Sequence, residues 1–178
     1  MVSFLQLFIN LCLFRHRAQD VPRSQFLLLV TAALAVITSA INAVPNAGLI
    51  RGLFMSIGQV LLFALLISLL LRFRSLSDRT TQTLTAMFGA TTLLQLLALP
   101  FFGWHERLLP EGPDAVMMLT TPLLVAAGIA IWSLAVMASI LRQAMECGLG
   151  LALLIIVACQ SVILSLIHIS EPTRPLHI

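Results

Sequence analysis

Two kinds of polar side chain in this sequence could carry chemistry: a histidine–glutamate pair in a loop and amides within apolar runs. His105 and Glu106 lie in the segment "GWHERLLPEGPDA", where an imidazole and a carboxylate could act as acid and base. The two residues are adjacent, so on a helix their side chains would point about 100° apart. The sequence contains no H-E-x-x-H, G-x-S-x-G or phosphate-binding glycine motif. We therefore interpret the segment as a solvated acidic loop and expect no enzyme activity.

The cysteines give no sign of a metal or a cofactor. Cys12, Cys147 and Cys159 are the three in the chain, and none belongs to a C-x-x-C pair. Such an odd, scattered set predicts neither a disulfide framework nor a zinc site. We expect no metal and no cofactor.

The amides are more informative. Gln59 and Gln95 lie within long apolar runs, six and seven residues from the same end of two neighbouring predicted spans, which places both about 10 Å below one interface. We predict that they face each other and form an inter-helix polar contact, which contributes roughly 0.6–2 kcal/mol in lipid. The alternative is a substrate site, for which Asn42 and Gln160 are the other residues able to line a polar cavity.

The composition decides which elements must position these residues. Of 178 residues, 60% are hydrophobic and 10% are charged, whereas soluble chains are about half apolar and about a quarter charged. The excess of apolar residues predicts a polytopic helical membrane protein. The net charge of +3 is spread over short loops, so we expect a lipid bilayer and no nucleic acid as partner.

Five apolar runs are candidate membrane spans. A helix needs about 20 residues to cross a hydrocarbon core of ~30 Å. The predicted spans are 25–43, 53–71, 82–102, 116–141 and 148–163. The last is only about 24 Å long as a helix. The predicted fold is an all-α membrane helix bundle with four complete spans and a truncated fifth, and the short connections predict that consecutive helices are antiparallel neighbours.

Residues 1–14 predict a different kind of helix. Ser3, Gln6 and Asn10 share one helical face, and apolar residues cover most of the remainder. Because the segment is too short to span and has no signal-peptide cleavage site, we predict an amphipathic helix in the membrane interface with its polar stripe toward water. The alternative is a helix packed on the bundle. Asp20 is the predicted N-cap of the first span.

The arginines predict the topology. All ten basic residues of the chain are arginine, and alternate loops before residue 164 carry seven against two. Cytoplasmic loops are enriched in basic residues, so we predict a cytoplasmic N-terminus, and the arginine-only basic set with compact loops suggests a bacterial inner membrane. The topology-determining residues are Arg15, Arg17, Arg23, Arg72, Arg74 and Arg79.

The last residues resemble a sequence of another origin. The chain reads Leu-Ser-Leu-Ile-His-Ile-Ser-Glu-Pro-Thr-Arg from Leu164 to Arg174. This peptide is identical to one reading frame of the adapter used in transposase-based sequencing libraries. We therefore expect native sequence to stop near Ile163, residues 164–178 to be a non-native tail, and the fifth span to be cut short.

The segment "RHRAQDVPRS" before five close-packed spans resembles the Yip1-like family of small multi-span membrane proteins, in which Asp20-Val21-Pro22 would echo an aspartate–tyrosine–glycine–proline motif. The resemblance implies membrane organisation or trafficking through contacts with itself or with other membrane proteins, and it transfers no functional residue. A small transporter, facilitator or transport subunit is the second hypothesis. Ion coupling is disfavoured because no ionisable residue lies well inside a span.

Overall fold

The computed structural model describes residues 4–108 and 119–169, and every regular element within them is helical. Four of the helices are long and apolar enough to cross a membrane. The predicted all-α bundle is therefore confirmed. The helices are α1 (Phe4–Cys12), α2 (Gln25–Ala47), α3 (Leu49–Phe73), α4 (Thr80–Leu108), α5 (Thr121–Met145) and α6 (Leu149–Ile169).

The spanning helices α2, α3 and α4 are longer than predicted, most clearly where α2 meets α3, whereas α5 has 25 residues against the 26 predicted. Only Gly48 separates the two helices, although a loop was predicted there. Gly48 has φ +77°, in the left-handed region that glycine adopts without strain, and its N–H donates to the Val44 carbonyl over 2.9 Å. Helix is favoured on both sides because it satisfies backbone groups that lipid cannot.

The N-cap of α2 is Ser24, so the prediction that Asp20 caps this helix was wrong. The Ser24 hydroxyl accepts from the Leu27 backbone N–H over 3.3 Å. Asp20 instead closes a short 3-10 turn by accepting from the Arg17 N–H over 2.9 Å. That hydrogen bond, with His16 nearby, lowers the pKa of Asp20. Extended backbone after the turn keeps Asp20 away from the start of the helix.

The five long helices form a ring. α4 packs extensively against α2 on one side and α5 on the other, α3 packs on α2, and α6 packs on α5. A smaller contact between α3 and α6 closes the ring. Small and threonine side chains dominate the continuously buried stretch 83–90 of α4, and they allow its neighbours to approach closely. The consecutive helices α3 and α4 touch only sparsely, because α2 and α5 occupy the sides of α4.

α1 is docked on the bundle, which agrees with the packed alternative for this segment, while its place in the membrane interface stays a prediction. Phe8, Leu11 and Cys12 are buried, mainly against α4. The Phe8 ring lies so close to Gly89 that a Cβ there would overlap it. The Trp132 indole N–H of α5 donates to the Cys12 carbonyl over 3.0 Å. The helix is therefore held by one apolar face.

α6 is held by a narrow stripe. Ala152, Ile156 and Ile163 are fully buried, while most of its other apolar side chains are exposed. The helix continues through Ile163 to Ile169 without interruption. That the native sequence ends near Ile163 stays a prediction, and residues 170–178 lie outside the described part of the chain.

Candidate functional site

A partly open cavity of about 40 Å³ lies between the helices of the ring, with lining residues from all five long helices. Gln95 is about 20 Å from either end of α4, at mid-length. This is deeper than the predicted 10 Å because the helices are longer. The polar lining comprises Ser39, Gln59, Thr91, Gln95 and Gln160, and the apolar lining comprises Ala35, Val60, Phe63, Phe88, Met137 and Ile163.

Gln95 joins α4 to α2. Its Oε1 accepts from the hydroxyls of Thr38, over 2.7 Å, and Ser39, over 3.4 Å. Its Nε2 lies 3.3 Å from the Ser39 Oγ, in donor geometry. Gln59 lines the same cavity, but no hydrogen bond joins it to Gln95 within the described residues. The reason is the order of the helices in the ring, in which α4 packs along α2 and makes only a sparse contact with α3.

Two cavity amides have no protein partner among the described residues. Gln59 and Gln160 are half-buried, and neither side chain makes a hydrogen bond within the described residues. Asn42, the fourth predicted candidate, does not line the cavity. Its Nδ2 donates over 2.9 Å to the Thr38 carbonyl of its own helix. The unpaired donors and acceptors of the site therefore belong to α3 and α6.

The chemistry of this cavity is neutral. Its lining residues carry no ionisable side chain, and within the described residues no three His, Cys, Asp or Glu side chains group as metal ligands. A volume of about 10–15 Å³ on this scale accommodates one water molecule. The cavity can therefore hold small hydrogen-bonding molecules, and the residues that line it supply no group for acid–base catalysis.

The two amides are expected to contribute differently to stability. Gln95→Met should lower the free energy of unfolding by roughly 0.6–2 kcal/mol, because it removes the link to Thr38 and Ser39. Gln59→Met, a matched change without a protein partner to lose, should cost clearly less. Reversible unfolding by SDS in mixed micelles measures both. Equal losses would mean that Gln59 has a protein partner of similar strength.

The second candidate region is the end of the bundle where the N-terminal segment is fastened. Gln82, in the first turn of α4, donates from Nε2 to the carbonyls of Val21, over 2.7 Å, and Gln19, over 3.2 Å. Its Oε1 accepts from the Arg23 Nε over 3.2 Å. The Ala18 N–H donates to a second amide, Oε1 of Gln143 on α5, over 3.1 Å. These bonds fix the segment to both α4 and α5.

Arg79 ties the adjoining loops to the same end. Its Nη1 donates to the Glu146 carboxylate over 2.7 Å and to the Ala144 carbonyl over 3.2 Å, at the C-terminus of α5. A cation is favourable at this end of a helix. The contact brings the α3–α4 and α5–α6 connections together. All six arginines predicted to set the topology therefore lie at one end, where Arg15, Arg17, Arg72 and Arg74 are exposed.

The structure places His105 and Glu106 in the last turns of α4, not in the predicted loop, and no hydrogen bond joins their side chains within the described residues. The His105 Nδ1 lies 2.7 Å from the Thr120 hydroxyl and so links the end of α4 to the start of α5. Glu106 is exposed. The acidic residues Glu111 and Asp114 of the predicted loop lie outside the described residues.

Comparisons of the chain with family models, with curated proteins and with solved structures find no match. The resemblance to the Yip1-like family accordingly stays a prediction. The roles of Gln82 and Gln143 were not predicted. For Gln82 the sequence offered a signal, since an amide in the first turn of an apolar helix, after an arginine-rich segment, can bond a neighbouring loop. Thr38 and Ser39 gave no such signal, because hydroxyls of this kind commonly bond their own helix.

Proposed function

We propose that this is a non-enzymatic integral membrane protein that organises the bilayer through α1 and assembles with itself or with other membrane proteins. The observation that best supports the proposal is the docking of α1. Its outward apolar side chains Phe4, Leu5 and Ile9 are 58%, 58% and 43% exposed, while its inner face is fixed on α4. Because α1 is too short to span, these side chains add apolar volume to one leaflet only.

The surface of the bundle supports the same role. α3 and α6 expose large apolar side chains along their length, which lipid or the helices of a partner can cover. The resemblance to the Yip1-like family, with its implied membrane organisation and partner contacts, agrees with this proposal.

The orientation belongs to the proposal as well. The arginine-bearing end would face the cytoplasm of a bacterial cell, with the protein in the inner membrane, because basic residues are retained on that side. α1 would then lie in the cytoplasmic leaflet.

Cysteines introduced at the two ends test this orientation. Ser77 and Leu119 are exposed, at the arginine-bearing and the opposite end, and each is changed to cysteine in a Cys147→Ser/Cys159→Ser background, which leaves only the buried Cys12 of the native thiols. Burial raises the pKa of the Cys12 thiol to about 11, so it reacts slowly with maleimides. In intact spheroplasts, a membrane-impermeant maleimide should label Leu119→Cys at once and Ser77→Cys only after lysis. The reverse pattern would place the N-terminus outside.

A small facilitator is the second candidate, and the polar cavity at mid-depth is the observation that favours it. Transporter sites lie at this depth, but they are typically built from broken helices. Here α2 to α6 run without a break through the cavity region. The cavity is also too small for most solutes. We therefore prefer membrane organisation.

Reconstitution into liposomes separates the two functions. We expect the protein to increase the share of small, highly curved vesicles, measured by cryo-electron microscopy, and to leave glycerol uptake at the rate of protein-free liposomes. A facilitator would accelerate uptake and leave the diameters unchanged. That second result would contradict the proposed function.

A further inference from the structure

We propose that the central cavity is a binding site for a small cluster of water molecules that bridge Gln59 and Gln160. This inference is independent of the proposed function. It rests on which hydrogen-bonding groups line the cavity, on its volume and on its position at mid-length of the bundle.

The lining offers donors and acceptors that the protein does not satisfy. Each amide has two N–H donors and one carbonyl acceptor, and those of Gln59 and Gln160 have no partner within the described residues. Thr91 donates to the Met87 carbonyl over 2.6 Å, which leaves its oxygen able to accept. A polar group without a partner is costly in apolar surroundings. A molecule bound in the cavity must therefore both donate and accept hydrogen bonds, and it must be uncharged.

Among neutral molecules that both donate and accept hydrogen bonds, the volume of the cavity favours water. At about 40 Å³, the cavity has room for about three water molecules, since one needs about 10–15 Å³ on this scale. Phe63 and Phe88 pack on each other in its wall, with ring centroids 6.2 Å apart. An apolar cavity of this size would stay dry, whereas polar groups converging from several helices hold water.

Two buried methionines allow the water to be detected. Met137 lines the cavity and is 4% exposed, whereas Met87 is fully buried and does not line it. X-ray radiolysis converts bound water to hydroxyl radicals in place, which oxidise a nearby thioether to the sulfoxide. After millisecond exposure of the protein in micelles, mass spectrometry should find Met137 oxidised several-fold faster than Met87.

Variants link the signal to the amides. Gln59→Leu/Gln160→Leu should bring the Met137 rate down to that of Met87, and Gln160→Leu alone provides the test if the double variant does not fold. Ser161→Leu, an exposed neighbour on α6, is the control and should leave the rate unchanged. Equally slow oxidation of both methionines in the unaltered protein, or fast oxidation of Met137 in a folded amide variant, would overturn the proposal.

Discussion

Gly89→Leu is expected to release α1 from the bundle and to lower the free energy of unfolding by about 3 kcal/mol. Any side chain at this position would occupy the space of the Phe8 ring, and the ring would have to leave its buried site. The cost should approach that of deleting a buried phenylalanine, about 3–5 kcal/mol, less about 1 kcal/mol for the better helix propensity of leucine. SDS unfolding in mixed micelles measures the loss, and trypsin should cleave faster after Arg15 and Arg17.

The matched control for this change is Gly58→Leu, because Gly58 lies on a long helix and a Cβ added there would meet open space. We expect that variant to be up to about 1 kcal/mol more stable than the unaltered protein, because leucine gains helix propensity there and meets no neighbour. Phe8→Ala should cost about as much as Gly89→Leu, and the double variant should cost little more than either, since both break one contact. Additive losses would show that Phe8 and Gly89 stabilise the protein separately.

Ala138→Leu is the second substitution with a large expected effect. Ala138 is fully buried on α5, and the contact of α5 with α4 is the most extensive between any two helices of the described chain. Extra methylene groups in a well-packed core force backbone shifts that cost about 1–3 kcal/mol. We expect the melting temperature in detergent to fall accordingly.

Ala135→Leu is its control on the same helix. Ala135 is exposed, so leucine there adds an apolar side chain where lipid can accommodate it. The melting temperature should change little. Equal losses for the two variants would contradict the packing of α5 described above.

The helices could be predicted from the sequence because lipid leaves the backbone few alternatives. Long apolar runs therefore located all five long helices. Their ends were less predictable, since one glycine at a positive φ was enough to join α2 and α3. The docking of α1 depends on the fit of Phe8 to Gly89, which are 81 positions apart, and no local pattern reveals such a pair.

The candidate site could be predicted in its residue types but not in its pairing. Gln59, Gln95 and Gln160 all line the cavity, as expected of amides in apolar runs. The partners of Gln95 could not be read from the sequence, because they follow from which helix lies beside α4. Asn42 was a reasonable candidate, but its amide bonds the backbone one turn earlier.

The sorting of the protein between flat and curved membrane tests the proposed role of α1 most directly. Membrane tubules are pulled from giant vesicles that contain the protein with Ser77→Cys in the Cys147→Ser/Cys159→Ser background. An impermeant dye applied outside then reports only copies whose arginine-bearing end faces outward. The test variant is Phe4→Ser/Leu5→Ser, which changes the exposed face of α1, and the control is Leu61→Ser/Leu65→Ser on the exposed face of α3.

We predict that the protein with an unaltered α1 is enriched several-fold on the tubule, because α1 adds volume to the outer, stretched leaflet. The α1 variant should lose most of this enrichment, and the α3 control should keep it. Equal density on tubule and vesicle for the unaltered α1, or undiminished enrichment of the α1 variant, would contradict the proposal that this helix organises the membrane.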